Sequence, residues 1–141
     1  MNYRIIPSTS FLKEAKRLAK KYPSFKNDLE ILQKELIINP NSGVEIGVGL
    51  RKVRMAIGSK GKGKSHGARV ITYTVILSVD EGEINLLTIY DKAERESISR
   101  KEIEEIMKGV WTLTRNPDSD SNYVYIFHEK LTWQKRFTIV Y

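Results

Sequence analysis

The pattern of apolar and polar positions in the first third of the chain predicts one short strand and two amphipathic helices. Residues 3–6 form the strand, which stops at a proline. The first helix begins near Phe11 and ends at Pro23, with apolar residues at helical spacing and basic residues on the remaining face. Ser24 is placed to cap the second helix, which ends within residues 39–43. We interpret the pair as a helical hairpin with one common buried face.

The period of the pattern then changes from helical to alternating. Residues 50–57 alternate between two faces, and residues 68–79 are a long run rich in β-branched and aromatic side chains. A turn at residues 80–83 leads into a further strand over residues 84–90. Consecutive strands with connections of this kind most simply form an antiparallel meander.

The C-terminal part of the chain combines a late helix with an extension of different composition. Residues 99–102, Ser-Arg-Lys-Glu, form a capping box that begins the helix. Residues 123–127 and 136–141 have the pattern of two short strands. We therefore expect a domain over residues 1–115 and an extension over residues 116–141 that forms a short β-hairpin. The expected class is α+β: a small antiparallel sheet with the two-helix hairpin on one face and a late C-terminal helix.

Length and composition limit the possible classes of function. At 141 residues, with 40% hydrophobic and 29% charged residues, the chain suits one domain with its own core. The absence of cysteine excludes disulfides, thiolate zinc sites and cysteine nucleophiles, and two histidines cannot build a three-histidine metal site. No apolar run reaches the ~20 residues of a membrane helix, and the N-terminus lacks a secretory signal. We expect a cytoplasmic protein with no metal, cofactor or membrane partner.

The net charge of +7 belongs to one continuous quarter of the chain. Residues 46–79 contain seven of the 24 basic residues and no Asp or Glu, which leaves 17 basic residues against 17 acidic ones elsewhere. The seven are Arg51, Lys52, Arg54, Lys60, Lys62, Lys64 and Arg69. A solvated surface usually mixes its signs, so a stretch of one sign indicates a polyanionic partner, with nucleic acid the first candidate.

Residues 58–65, Gly-Ser-Lys-Gly-Lys-Gly-Lys-Ser, match the phosphate-binding P-loop pattern letter for letter. That pattern needs a helix after the loop, because amides at the N-terminus of the helix cradle the phosphates. The residues that follow here, 68–76, instead have strong strand propensity. We therefore interpret residues 58–67 as a pliable glycine loop that carries three lysines, with His66 as an ordinary loop residue.

The residue types in and near this loop suit RNA cleavage without a metal ion. Residues 46–79, the basic window, lack the clustered carboxylates of a two-metal nuclease. In the metal-free route, the 2′-hydroxyl of the RNA attacks the adjacent phosphate and leaves a cyclic phosphate end. Lysine acts as a base when neighbouring cations lower its pKa, arginine binds two phosphate oxygens, and tyrosine orients the base or assists proton transfer. The same groups also suit binding without catalysis.

Three segments carry a more specific signal when they are taken in order. They are Gly-Leu-Arg-Lys-Val-Arg at 49–54, the lysine–glycine run at 60–64 with Gly-Ala-Arg-Val-Ile at 67–71, and Leu-Leu-Thr-Ile-Tyr-Asp-Lys at 86–92. With the order of elements, they resemble the RelE/ParE toxin superfamily, most closely its HigB-like branch. The resemblance implies a toxin of a type II toxin–antitoxin pair that enters the ribosomal A site and cleaves mRNA without a metal. It also implies neutralisation by a cognate antitoxin protein, which we expect an adjacent gene to encode.

The resemblance implies roles for nine residues. Three are implied to contact RNA: Arg51, Lys52 and Arg54. Six are implied to be catalytic, with the identity of the base left open: Lys60, Lys62, Lys64, Arg69, Tyr90 and Lys92. Tyr90 has the alternative role of a core residue, and Lys52 that of a solvated charge. Lys92 has the alternative of pairing with Asp91 or Glu94.

Two other functions stay open at this point. A ParE-like toxin binds a topoisomerase and cuts nothing, but it has no use for a lysine–glycine loop that faces phosphate. A non-catalytic RNA- or ribosome-binding module needs only the charge. The extension at 116–141 departs from the HigB pattern, which usually ends near the late helix. It is a hairpin packed on the body, a contact for a second copy or an antitoxin, or a poorly ordered appendage.

Overall fold

The computed structural model describes residues 2–114, 123–127 and 133–137. Within these ranges the chain forms three α-helices, a five-stranded sheet and a two-stranded sheet. The elements are β1 (Asn2–Pro7), α1 (Thr9–Lys21), α2 (Phe25–Ile38), β2 (Val44–Gly47), β3 (Leu50–Met55), β4 (Ala68–Ile76), β5 (Glu81–Asp91), α3 (Arg100–Thr114), β6 (Tyr123–Phe127) and β7 (Trp133–Phe137). The α+β class predicted from the sequence is confirmed.

The larger sheet has the strand order β1-β5-β4-β3-β2 and is mixed rather than antiparallel. Strands β3, β4 and β5 pair antiparallel in chain order, as the sequence predicts, and β2 adds antiparallel to β3. The prediction of an entirely antiparallel sheet is wrong for β1, which pairs parallel with β5. Parallel neighbours are joined through long crossovers rather than tight turns. A pairing between strands at opposite ends of the domain therefore leaves no local signal in the sequence.

Several strand boundaries differ from the prediction, and β3 ends at Met55 although the alternating pattern continues to residue 57. The short edge strand β2 was not predicted, since its four residues show no clear alternation and its first two side chains are exposed. Strand β4 ends at Ile76 instead of residue 79, and β5 begins at Glu81 instead of residue 84. The turn therefore lies at residues 77–80, where the amides of Leu77 and Ser78 donate to the carbonyl of Glu81.

The helical hairpin and the late helix cover opposite faces of the sheet. On one face, α1 and α2 bury a core that includes Phe11, Leu18, Phe25, Leu29, Val53, Val70 and Ile89. On the other face, Ile103 of α3 packs in a cluster with Ile71 and Leu87. The predicted capping box begins α3: the amide of Glu102 donates to Oγ of Ser99 at 3.2 Å. Both faces are thus covered by helices.

The C-terminal strands β6 and β7 pair antiparallel with each other. Strand β6 has the predicted bounds, whereas β7 covers residues 133–137 instead of 136–141. Residues 138–141 of the predicted strand lie outside the described residues, as do 115–122 and 128–132. Among the helices that the structure describes, none has the length and apolar character needed to cross a bilayer.

Gly67 joins the lysine–glycine loop to β4 and leaves no room for a side chain. A Cβ atom there would lie 2.0 Å from the carbonyl oxygen of Met55, which belongs to the backbone and cannot rotate away. We expect Gly67→Ala to lower the free energy of unfolding by about 3 kcal/mol. Gly61→Ala is the control, since its Cβ meets nothing within 4 Å and its φ of +65° costs only about 1 kcal/mol. If urea denaturation showed that the two variants lose equal amounts of unfolding free energy, this account would be contradicted.

Candidate functional site

A row of polar side chains crosses the sheet on the face that α3 partly covers. The register places Arg54 of β3 opposite Arg69 of β4, and Arg69 opposite Tyr90 of β5. Side chains opposite one another in a ladder share one face, and Lys52 lies two residues from Arg54 on that same face. Arg54 is exposed, whereas Arg69 and Tyr90 are each only 5% exposed. The structure therefore brings together four of the nine predicted residues.

The buried Arg69 guanidinium holds the lysine–glycine loop. Its terminal nitrogens donate to the carbonyls of Lys64 (2.9 Å), Ala68 (3.0 Å) and Ser65 (3.2 Å). Burial lowers the pKa of Arg69 and the neighbouring Arg54 lowers it further, against the opposing effect of Tyr90. In the free protein Arg69 thus supports the loop backbone, and its predicted contact with phosphate stays a prediction.

Tyr90 is covered by the segment that leads into α3. The Arg95 guanidinium lies 5.9 Å from the centre of the Tyr90 ring and also pairs with Glu102 in the first turn of α3. The Tyr90 hydroxyl is buried and has no hydrogen-bond partner among the described residues. A buried hydroxyl without a partner carries an energetic cost, so this position is not an ordinary core site.

The loop at residues 58–67 has a defined conformation at both ends. It contains two short 3-10 turns, Gly58–Lys60 and Lys64–His66, and β4 follows it directly. No helix begins after the loop, so the interpretation that this is not a P-loop is confirmed. Gly61 and Gly63 adopt left-handed conformations with φ of 65° and 69°, and open space surrounds both. The tip of the loop is therefore the segment that these two glycines bracket.

The first turn of the loop is fixed to the start of α2. The amide of Ser59 donates to Oγ of Ser24 at 2.7 Å, and the amide of Gly58 donates to the Asp28 carboxylate at 3.0 Å. Ser24 also donates to Asp28 at 2.7 Å. Ser24 was predicted to cap α2, but its side chain makes no cap hydrogen bond. Its hydroxyl instead joins the loop to the helix.

A second anchor links the loop to the end of β5 through a buried carboxylate. Asp91 is fully buried, and one of its oxygens accepts from the Lys60 ammonium at 2.5 Å and from the Ala93 amide at 3.0 Å. The other oxygen accepts from the hydroxyl of Tyr22 at the end of α1. Burial alone would raise the pKa of Asp91, but these hydrogen bonds outweigh burial and hold that pKa below its usual range. Lys60 is therefore engaged in an ion pair.

An open cleft of about 570 Å³ lies beside this anchor. Tyr22, Lys60, Lys62, Ser65, His66, Lys92 and Ala93 line it. The side chains of Lys62, His66 and Lys92 are exposed, and Oγ of Ser65 lies 2.9 Å from Nδ1 of His66. The cleft and the polar row are linked through the loop, because the carbonyl of Ser65, a residue that lines the cleft, accepts from Arg69 of the row at 3.2 Å. The cleft offers several cationic and proton-carrying groups to an anion.

Two of the nine predicted residues belong to neither the cleft nor the polar row. Arg51 lies on the opposite sheet face from Lys52, and its guanidinium donates to the carbonyls of Asn41 (2.9 Å) and Gly43 (3.3 Å). Lys64 does not line the cleft, and its ammonium lies 3.6 Å from the Glu35 carboxylate in an exposed ion pair. The structure therefore groups Lys60, Lys62 and Lys92 at the cleft and leaves Arg51 and Lys64 outside it.

Sequence reasoning missed the acidic groups that hold the loop. The basic window has no carboxylate in sequence, but folding brings Asp28, Glu35 and Asp91 to it. Asp91 carried one usable signal, since a charge directly after the largely apolar run at residues 84–90 requires a partner if it is buried. Tyr22 carried no signal of this kind in the sequence, because a tyrosine at the end of an amphipathic helix is common.

No protein-family model matches the chain. Among the described residues there is no group of three or more His, Asp or Glu side chains placed to hold a metal ion. The functional interpretation therefore depends on the cleft, the polar row and their chemistry.

Proposed function

We propose that the protein is a metal-independent endoribonuclease that acts as the toxin of a type II toxin–antitoxin pair and cleaves mRNA in the ribosomal A site. The proposal depends on the resemblance of the sequence to RelE-like toxins of the HigB branch. In this chain the late helix α3 and the helical hairpin α1–α2 lie on opposite faces of the sheet. The observation that carries the proposal is the cleft, where exposed Lys62, His66 and Lys92 lie together and suit a polyanion. Exposed Arg54 lies in the polar row beside Arg69, which supports the loop of the cleft.

The chemistry assigns different tasks to these groups. Arg54 is the exposed guanidinium of the row and suits a phosphate oxygen pair. Lys62 and Lys92 carry the amines that suit proton transfer at the 2′-oxygen and the leaving 5′-oxygen. His66, which was predicted to be an ordinary loop residue, lines the same cleft and adds an imidazole. Attack by the 2′-hydroxyl forms a bond to phosphorus and breaks the bond to the 5′-oxygen, which leaves a 2′,3′-cyclic phosphate and a 5′-hydroxyl.

A non-catalytic RNA- or ribosome-binding module is the second candidate. The burial of Arg69 and Tyr90 favours it, because neither side chain is presented to a substrate in the free protein. A binding module would associate with RNA through the exposed cations and leave it intact. Cleavage separates the two candidates directly.

The test uses ribosomes that carry a defined mRNA in the Mg²⁺ buffer that keeps them assembled, and protein that has been treated with EDTA and then freed of the chelator. We expect this protein to cleave, and we expect resistance when the 2′-hydroxyl at the scission site is replaced by hydrogen, since the nucleophile is then absent. Free RNA should be cut poorly, because the ribosome holds the strand in line for attack. Binding without cleavage would favour the second candidate. The product of the adjacent gene, co-expressed, should bind the protein and suppress cleavage.

A further inference from the structure

The three lysines of the loop have different surroundings. Lys60 is 14% exposed and pairs with Asp91, while it also donates to the carbonyl of His66 at 2.9 Å. Lys64 pairs with Glu35 on α2. Lys62 lies between Gly61 and Gly63, is exposed, and makes no ion pair within the part of the chain that the structure describes. One lysine is therefore engaged in the fold, one is directed to a helix, and one is presented at the tip.

We propose that Asp91 is a positioning residue that holds the lysine–glycine loop through Lys60 and Tyr22, so that Lys62 is the lysine presented to RNA. The inference rests on the proposed function for the identity of the substrate. It changes the role of Lys60, which the sequence assigned to catalysis. In this arrangement Lys60 is a second positioning residue and acts through the loop that it fixes.

Asp91 has the connections that such a role requires. It joins three separate parts of the molecule: the end of α1 through Tyr22, the loop through Lys60, and the exit of β5 through the Ala93 amide. The next amide, that of Lys92, donates to the carbonyl of Gly67 at 3.1 Å and closes the far end of the loop. Lys60 also donates to the His66 carbonyl, so loss of the Asp91 carboxylate frees the ammonium that joins both sides of the tip, while Ser24 and Arg69 keep their own contacts with the loop.

A lysine that only positions the loop can be replaced by arginine, whereas a lysine that acts as the general base cannot. Arginine keeps the positive charge that pairs with Asp91, but it is not deprotonated in proteins. Lys60→Arg therefore distinguishes a positioning lysine from a general base. Lys60→Met removes the positive charge and should impair the protein whichever role Lys60 has. Asp91→Asn removes the carboxylate charge and keeps the side-chain shape.

The experiment measures amide hydrogen exchange at Gly61, Gly67 and Lys92 in the free protein, and kcat and KM for cleavage on ribosomes. In Asp91→Asn and Lys60→Met, we expect exchange at least about tenfold faster at these amides. We expect kcat to fall by about 100-fold with KM little changed, because the loop is misplaced. Lys60→Arg should keep slow exchange and most of the wild-type kcat. Glu96→Gln, an exposed carboxylate in the next segment, is the matched control and should change neither value.

Two results would overturn the proposal. One is exchange in Asp91→Asn that equals the wild type. The other is a Lys60→Arg variant that is as inactive as Lys60→Met while its loop stays protected, since Lys60 would then be catalytic. If the wild-type protein does not cleave RNA, the proposed function fails. The exchange data then decide on their own whether Asp91 positions the loop.

Discussion

Lys62→Ala should reduce the rate of mRNA cleavage on ribosomes by about 10²–10⁴-fold, the usual contribution of a positioned acid or base. The side chain lies at the cleft and is exposed, with no ion pair to the described residues. Its removal should therefore change the free energy of unfolding by less than about 0.5 kcal/mol. Single-turnover cleavage and urea denaturation of the same preparation give both quantities.

Lys13→Ala provides the matched control for this variant. Lys13 is also an exposed lysine, but it lies on α1 and does not line the cleft. The substitution removes the same net charge, so it corrects for general electrostatic attraction to RNA. A similar loss of cleavage in both variants would show that the site of Lys62 is not special, and would contradict the account.

Asp91→Ala should lower the free energy of unfolding by about 3–5 kcal/mol at pH 7, the range for breaking a buried ion pair. The substitution leaves the Lys60 ammonium and the Tyr22 hydroxyl without their acceptor, and Lys60 is largely buried. Glu96→Ala, which removes an exposed carboxylate from the following segment, should stay within about 0.5 kcal/mol.

The loss caused by Asp91→Ala should depend on pH. The pKa of Asp91 is lower in the folded protein than its ordinary value, so the unfolded state takes up the proton first as pH falls. The stabilisation that the Asp91 carboxylate provides is therefore complete above about pH 4, the pKa of an aspartate in the unfolded chain. It declines as the pH falls through the lower pKa that Asp91 has in the folded protein. Denaturation at several pH values should show the gap between wild type and variant narrowing only under acid conditions. A gap that does not depend on pH would assign the loss to packing alone.

The polar row could be predicted from the sequence because strand alternation is a local signal. Alternation over 50–57 places Lys52 and Arg54 on one face and Arg51 on the other, as the register confirms. The pairing of β4 with β5 also follows from the short turn at residues 77–80 that joins them. Alternation does not predict which side chains of a face are exposed. Arg69 and Tyr90 are buried because the loop and the segment that leads into α3 cover them.

The anchor at Asp91 could not be predicted, because its partners are distant in the chain. Tyr22 and Lys60 are 69 and 31 residues away from it. The stretch at residues 46–79 that lacks acidic residues pointed to the loop, but it treated the three lysines as equivalent. Only tertiary contacts separate Lys60, which is paired and mostly buried, from Lys62 at the tip.

The central claim, that this protein cleaves RNA by attack of the 2′-hydroxyl, is tested most directly by the chemistry of the new ends. A ribosome-bound mRNA labelled at its 5′ end is incubated with the protein, and the 3′ end of the labelled product is identified. The account predicts a 2′,3′-cyclic phosphate, with a 5′-hydroxyl on the downstream fragment. A 3′-hydroxyl on the labelled product, with a 5′-phosphate on the downstream fragment, would contradict it.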